Sequence, residues 1–328
     1  MDRRGFVAMI CSGLAAPLSS FAQQQAAKVH RIGFLGTAFA SGYVSELDWV
    51  RAGLRNLGYV EGRNIVIEYR WAEGNSDRIG EMAAEFVALK VDAILVHGIP
   101  GAIAAVRVTS TIPVVMADGA DPVATGLAES LARPGRNVTG STSFVFEEVG
   151  KRLQLLKEVA PRIKRVAFLA SSLVPEVVFA PVRKTIHDAA AAMKVELQDF
   201  LVRGAADLPD AFNAMSKARI DATVINNEPL LNSHTGTIAG LAAVKGLPAV
   251  GFASFADAGG LLAYGANRPA LYGRAAYFLD RIFKGAKLGE IPFERATKFD
   301  LIVNLKTAKA LGIKVPQAVL IRANRVIE

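Results

Sequence analysis

Two segments decide how this chain folds: KVDAILVHGIP, Lys90 to Pro100, and RIDATVINNEP, Arg219 to Pro229. Each runs from a basic residue through a β-branched apolar residue, Asp, Ala and an apolar run to a short polar or small stretch and Pro. They stand 129 residues apart, and their surroundings repeat at nearly the same distance. HRIGFLGT at 30–37 matches KRVAFLAS at 164–171, and IPVVMA at 112–117 matches LPAVGF at 247–252. Three strand-like segments met twice in one order indicate an internal duplication.

Amphipathic stretches separate the apolar runs. A strand is expected at 31–35, a helix at 45–57 with apolar residues at Leu47, Val50, Leu54 and Leu57, and a strand at 64–69. A second helix at 76–89 with Ser76 as its cap and a third strand at 93–96 follow, and the order starts again from Arg165. Strands alternating with helices of this length predict right-handed crossovers and parallel sheets covered on both faces. The fold class is therefore α/β, with two similar doubly wound lobes and a ligand cleft between them.

In such sheets ligands lie beyond the carboxyl ends of the strands, where helix N-termini offer free N–H groups. Candidates at these ends are Thr37, His97, Gly98, Asp118, Ser171, Ser172, Asn226, Glu228 and Ser254, joined by the hydroxyls of Ser141 and Thr142. Asp121 stands either as partner of a ligand ammonium or as cap of a helix at 123–131 with Pro122 in its first turn. Glu228 holds the corresponding place in the second lobe. Phe39, Tyr43, Phe144, Phe146 and Phe255 are available either to stack on a planar solute or to pack the core.

The first residues, MDRRGFVAMICSGLAAPLSSFAQQQ, carry Arg3 and Arg4, an apolar stretch at 6–18 and the small-x-small triplet Ser20-Phe21-Ala22. That is the pattern of a secretory signal peptide spanning 1–22. Arg3 and Arg4 also resemble a twin-arginine signal, with Asp2 before them and no Lys after. The only cysteine, Cys11, lies inside this segment, so a mature chain of 306 residues would hold no thiol and no disulfide. The net charge of +8 is spread among acidic residues without a basic block, which does not describe a nucleic-acid footprint. The histidines lack metal-ligand spacing, and dinucleotide, Walker A, nucleophile-elbow and HExxH fingerprints are missing. No cofactor, metal or catalytic residue is expected.

GYVEGRNIVIEYRWAEG at 58–74, DPVATGLAESLARPGRNVTG at 121–140 and TKFDLIVNLKTAKALGIKVP at 297–316 carry a resemblance. With them the chain resembles the ABC-transporter substrate-binding proteins of the tryptophan- and tyrosine-associated type, which have a type I periplasmic binding fold. The resemblance implies an exported, periplasmic or otherwise extracytoplasmic monomer that closes around a small solute, such as an amino acid, and delivers it to a membrane permease. It also implies three chain crossings, near 138–141, 251–256 and 294–299. Lobe one then comprises 29–139 with about 257–295, and lobe two 140–256 with about 296–328. An α/β enzyme acting on a small solute and a sensory receptor for a signalling partner are the alternatives.

Overall fold

The computed structural model describes residues 28–328 apart from Phe144 and Pro175. The signal peptide read at 1–22 and the aromatic ring of Phe144 lie outside the described residues.

The first half contains β1 (His30–Gly36), α1 (Val44–Asn56), β2 (Ile65–Trp71), α2 (Ser76–Ala88), β3 (Ala93–Val96), α3 (Gly98–Val108), β4 (Val114–Met116) and β5 (Val138–Thr142). The second repeats the scheme with α4 (Val145–Val159), β6 (Arg165–Ser171), α5 (Glu176–Ala192), β7 (Glu196–Val202), α6 (Leu208–Lys217), β8 (Ala222–Ile225), α7 (Pro229–Asn232), α8 (Thr235–Val244), β9 (Ala249–Gly251), α9 (Ala253–Asp257) and β10 (Leu262–Ala266). Helix α10 (Arg268–Phe283), β11 (Glu294–Arg295), β12 (Phe299–Asn304) and β13 (Arg325–Ile327) follow, with short helices between the last two strands.

Strand order is β2-β1-β3-β4-β5-β11 in one sheet and β7-β6-β8-β9-β10-β12-β13 in the other. The first five strands of each sheet thus share one doubly wound order. Every pairing is parallel except β10 with β12. Apolar clusters cover both faces of each sheet, one of them formed by α1 and α10 against the first sheet.

The duplicated aspartates explain why the opening segments repeat. Asp92 Oδ2 accepts the Arg31 N–H at 2.8 Å, and Asp221 Oδ2 accepts those of Lys164 and Arg165 at 2.7 and 2.9 Å. Their own amides donate to Arg31 O and Arg165 O at 2.7 and 2.8 Å. One side chain therefore joins the foot of the third strand to the foot of the first in both lobes. The preceding Lys90 and Arg219 take φ of 51° and 54°, the left-handed turn that releases the chain from the helix before it.

Three expectations need correction. The strand Leu262–Ala266 pairs with β9 and β12, so the second crossing lies at Asn267 and not within 251–256. The duplicated order requires a fifth strand beside β9, and the apolar run from Leu261 supplies it. The segment expected as a helix at 123–131 is a single turn: Gly126, at φ 72°, reverses the chain so that the Leu127 and Ala128 N–H groups return to Pro122 O. The cap of α2 is Asn75, whose Oδ1 accepts the Asp77 N–H at 3.0 Å, and not Ser76.

Asp221 sits at the opposite edge of its sheet from the strand ends that carry Asn226 and Glu228. Asp221→Ala should cost about 1 kcal/mol in urea unfolding, the net worth of ordinary hydrogen bonds at a partly solvated site, with no change in solute affinity.

Candidate functional site

The carboxyl ends of both sheets converge on a cavity of about 180 Å³. Thr37, His97, Gly98 and Asp118 reach it from the first sheet, Ser171, Asn226 and Glu228 from the second, and Arg268 from the start of α10. Phe39, Ile79, Val178, Phe179 and Leu230 make most of the remaining wall apolar. Its size falls below the roughly 300–1,000 Å³ of pockets for drug-sized ligands, as suits a solute of amino-acid dimensions.

Glu228 is 5 % exposed and follows Asn226 and Asn227, the two residues after the end of β8. Its Oε1 accepts the Ser171 N–H, while Oε2 is buried without a partner among the described residues. Burial pushes the carboxyl up to about 8, with the Ser171 hydrogen bond acting in the other direction. Opposite it, Asp118 is buried, and its Oδ1 has no hydrogen-bond partner of good geometry among the described residues. Burial raises this carboxyl too, against the pull of the Arg268 charge and of the nearby Ser143 and Gly119 groups.

Arg268 is the residue that sequence reasoning missed. Its Nη2 donates to Glu46 Oε1 at 2.8 Å and to the Tyr272 hydroxyl at 3.3 Å, and Nη1 lies 3.9 Å from Asp118 Oδ2. Burial opposes its charge, but Tyr272, Glu46 and Asp118 more than offset that and hold its pKa above the ordinary arginine value. The Tyr272 hydroxyl accepts from Arg268 and is also hydrogen-bonded to His97 Nδ1. Burial, helped by the Arg268 charge, lowers His97 to about 3, so the ring is neutral. The only sequence signal was Asn267-Arg268-Pro269 after a strand, which looks like any helix start. Its pairing with Glu46, 222 residues earlier, has no local signature.

The other candidates divide. Thr37 lines the cavity with its N–H and hydroxyl both 3.0 Å from the Tyr43 hydroxyl. Thr142 is buried, and its hydroxyl donates to Gly119 O at 2.7 Å, bracing the loop that carries Asp118. Ser141 is buried in β5, and Ser172 turns its N–H to Val202 O; neither lines the cavity. Ser254 lines a second cavity of about 470 Å³ on the far side of Arg268. Asp121 is outside both cavities, and its Oδ1 caps the turn through Val123 and Ala124 N–H at 2.8 and 3.2 Å. Asp118, three residues earlier, takes the place expected for it. Of the aromatics, Phe39 lines the cavity, Tyr43 packs on Trp71, and Phe146 and Phe255 join the cores.

The lobes touch across the mouth of this cleft. A Cβ at Gly42 would lie 2.5 Å from Ser233 Oγ and 3.5 Å from Pro229 O of the other lobe, and one at Gly74 would lie 3.5 Å from Leu173. At Gly42 the glycine answers to the opposing lobe alone, since no positive φ demands it.

Two duplicated α/β lobes closed on a small, mostly apolar cleft with buried carboxylates define a solute-binding receptor fold. The chain belongs to the ABC transporter substrate binding protein family, whose model matches residues 42–327. It is 26 % identical over 262 residues to the "Tyrosine-binding protein" of Clostridioides difficile (strain R20291), covering 80 % of this chain and 74 % of that one. Its fold matches the structure of a Streptococcus pneumoniae ABC domain in complex with L-Trp, with a TM-score of 0.80, 24 % identity, and 91 % and 99 % of the two chains covered. It also matches the ligand-free, open structure of a substrate-binding protein with adhesive properties from Clostridium difficile, at TM-score 0.64 with the same identity and coverage.

Gly42→Val should hold the lobes apart, giving a larger radius of gyration by small-angle scattering and weaker solute binding at an unchanged melting temperature. Glu228 should shape the pH dependence of the empty protein. A carboxyl raised to about 8 contributes stability that is complete below its unfolded value near 4.5 and lost as pH rises through 8. Wild type should therefore lose stability relative to Glu228→Gln between pH 5 and 8.5, measured by denaturant unfolding; parallel profiles would assign Glu228 an ordinary pKa.

Proposed function

We propose that the protein is the extracytoplasmic receptor of an ABC importer, that its solute carries a protonated amine on a large apolar body, and that it hands this solute to a membrane permease. An aromatic amino acid is the form this takes in view of the tyrosine-binding relative and the L-Trp complex. Lobe one is residues 28–143 with 267–295, and lobe two is 144–266 with 296–328.

The observation that carries this reading is Glu228. Among the described residues its Oε2 and the Asp118 Oδ1 on the opposite wall are buried without a well-placed donor, and an ammonium group brings three N–H donors and the compensating charge. The Arg268 guanidinium and the N-terminus of α3, which lacks a side-chain cap, offer donors for a carboxylate. Phe39, Phe179 and Leu230 receive the apolar part. Among the described residues no helix is long and apolar enough to cross a membrane.

Calorimetric titration with L-tyrosine, L-tryptophan, their deaminated acids and their decarboxylated amines tests the reading. At least one amino acid should bind and be recovered unchanged, and its deaminated acid should not bind. Glu228→Gln should weaken binding by about 2–5 kcal/mol, the usual loss when one partner of a buried charge pair is removed. Equal affinity for the acid and the amino acid, or turnover of either, would overturn it.

A further inference from the structure

Lobe two buries an ion pair that neither cavity touches. Glu148 and Arg152, one turn apart on α4, are 2 % and 0 % exposed, and Arg152 Nη2 donates to Glu148 Oε2 at 2.8 Å. Such a pair is a poor way to stabilise a fold, because desolvation cancels most of the attraction, and apolar replacements of similar volume are often neutral. Its other bonds point to a different use. Arg152 Nε donates to Tyr264 O at 2.6 Å and Nη1 to Ile225 O at 3.4 Å, while Glu148 Oε1 accepts the Ala266 N–H at 2.8 Å.

These are strand ends with particular sequels. Ile225 closes β8 and leads directly into Asn226, Asn227 and Glu228; Ala266 closes β10 and leads through Asn267 to Arg268. A Cβ at Gly265 would lie 3.0 Å from Glu148 Oε2 and 3.1 Å from Arg152 Nη2, so β10 is seated directly on the pair. Burial raises the Glu148 carboxyl, Arg152 opposes this, and the charges of Asp118 and Arg268 also act on it. The pair therefore lies within electrostatic reach of the cleft although it does not line it.

We propose that Glu148 and Arg152 are positioning residues: they bracket the end of β8 to the end of β10 and so set Glu228 and Arg268, two ionisable groups lining the cleft, relative to each other across the second crossing. One guanidinium fork and one carboxylate hold three backbone groups from two strands that lead to opposite lobes. A slip of either strand end displaces one charge against the other. Only the binding arm of the test rests on the receptor reading above.

The test uses the double variant Glu148→Leu with Arg152→Met, which removes both charges without orphaning either, alongside Arg152→Lys, which keeps the charge and loses the fork. Hydrogen exchange of the empty protein should rise at least tenfold in 226–230 and 262–268 of the double variant. The β6 segment should exchange as in wild type and the melting temperature should stay within a few degrees. Arg152→Lys should raise exchange in the same segments by a smaller factor. L-tyrosine or L-tryptophan, whichever binds wild type, should bind the double variant at least tenfold more weakly. Wild-type exchange in both segments, or an even rise through β6, β8 and β10, overturns the proposal. If the double variant does not fold, wild-type exchange in Arg152→Lys overturns it equally. If neither amino acid binds wild type, the solute reading fails by itself and exchange still decides the bracket.

Discussion

A carboxyl group buried with one oxygen unsatisfied raises the free energy of the protein that holds it, by roughly 1–3 kcal/mol for the lost hydrogen bond and more if it ionises. Glu228 carries that cost in the empty cleft, relieved only by the Ser171 N–H on its other oxygen. Among the described residues the neighbouring Asn227 Oδ1 and Asp118 Oδ1 across the gap are likewise buried without a well-placed donor. Among the described residues Arg268 is the one cation lining the cavity, and it is already engaged by Glu46, Tyr272 and Asp118. In the receptor reading proposed above, a solute without N–H donors leaves the orphaned oxygens dehydrated, and one with an ammonium removes the penalty.

The two lobes contribute unequally to that arrangement. Glu46, Arg268, Tyr272 and His97 form a linked set on the side of α1 and α10, buried and paired before any solute arrives. Lobe two brings Glu228, whose Oε2 has no partner among the described residues. In the receptor reading proposed above, the solute meets a prepared surface on the first lobe, and it shifts the lobes only by the difference in its affinity for their closed and open forms, to which the Glu228 contact contributes.

Legibility in the sequence follows the range of the interactions. The duplication is readable because each lobe repeats local devices: an apolar run of strand length, a helix of fixed period, and an aspartate at the foot of the third strand, as at Asp92 and Asp221. The strand-end rule also brings Thr37, His97, Asp118, Ser171, Asn226 and Glu228 to one cavity. It does not separate residues that face the cavity from those that brace its loops, as Thr142 does, because side-chain direction at a strand end depends on the loop beyond it. Asp121 is misleading for the same reason: its carboxylate is consumed by the next two amides. Arg268 and the Glu148–Arg152 pair are invisible to local patterns, since their partners come from strands and helices far away in the chain.

Duplication with divergence is also what a two-lobed receptor requires physically. The feet of the strands can remain alike because both lobes face the same problem there, joining a parallel strand to the next with its backbone groups satisfied. The heads of the strands differ, because each lobe brings its own set of groups to the shared cleft. At the third strand the two repeats end as His97-Gly98 in one lobe and Asn226-Asn227-Glu228 in the other. The first supplies a neutral imidazole and opens a helix whose N-terminus faces the cavity; the second supplies an unpaired carboxyl. The similarity of KVDAILV and RIDATVI is therefore structural, and the difference between HGIP and NNEP is where the binding chemistry of the two lobes separates.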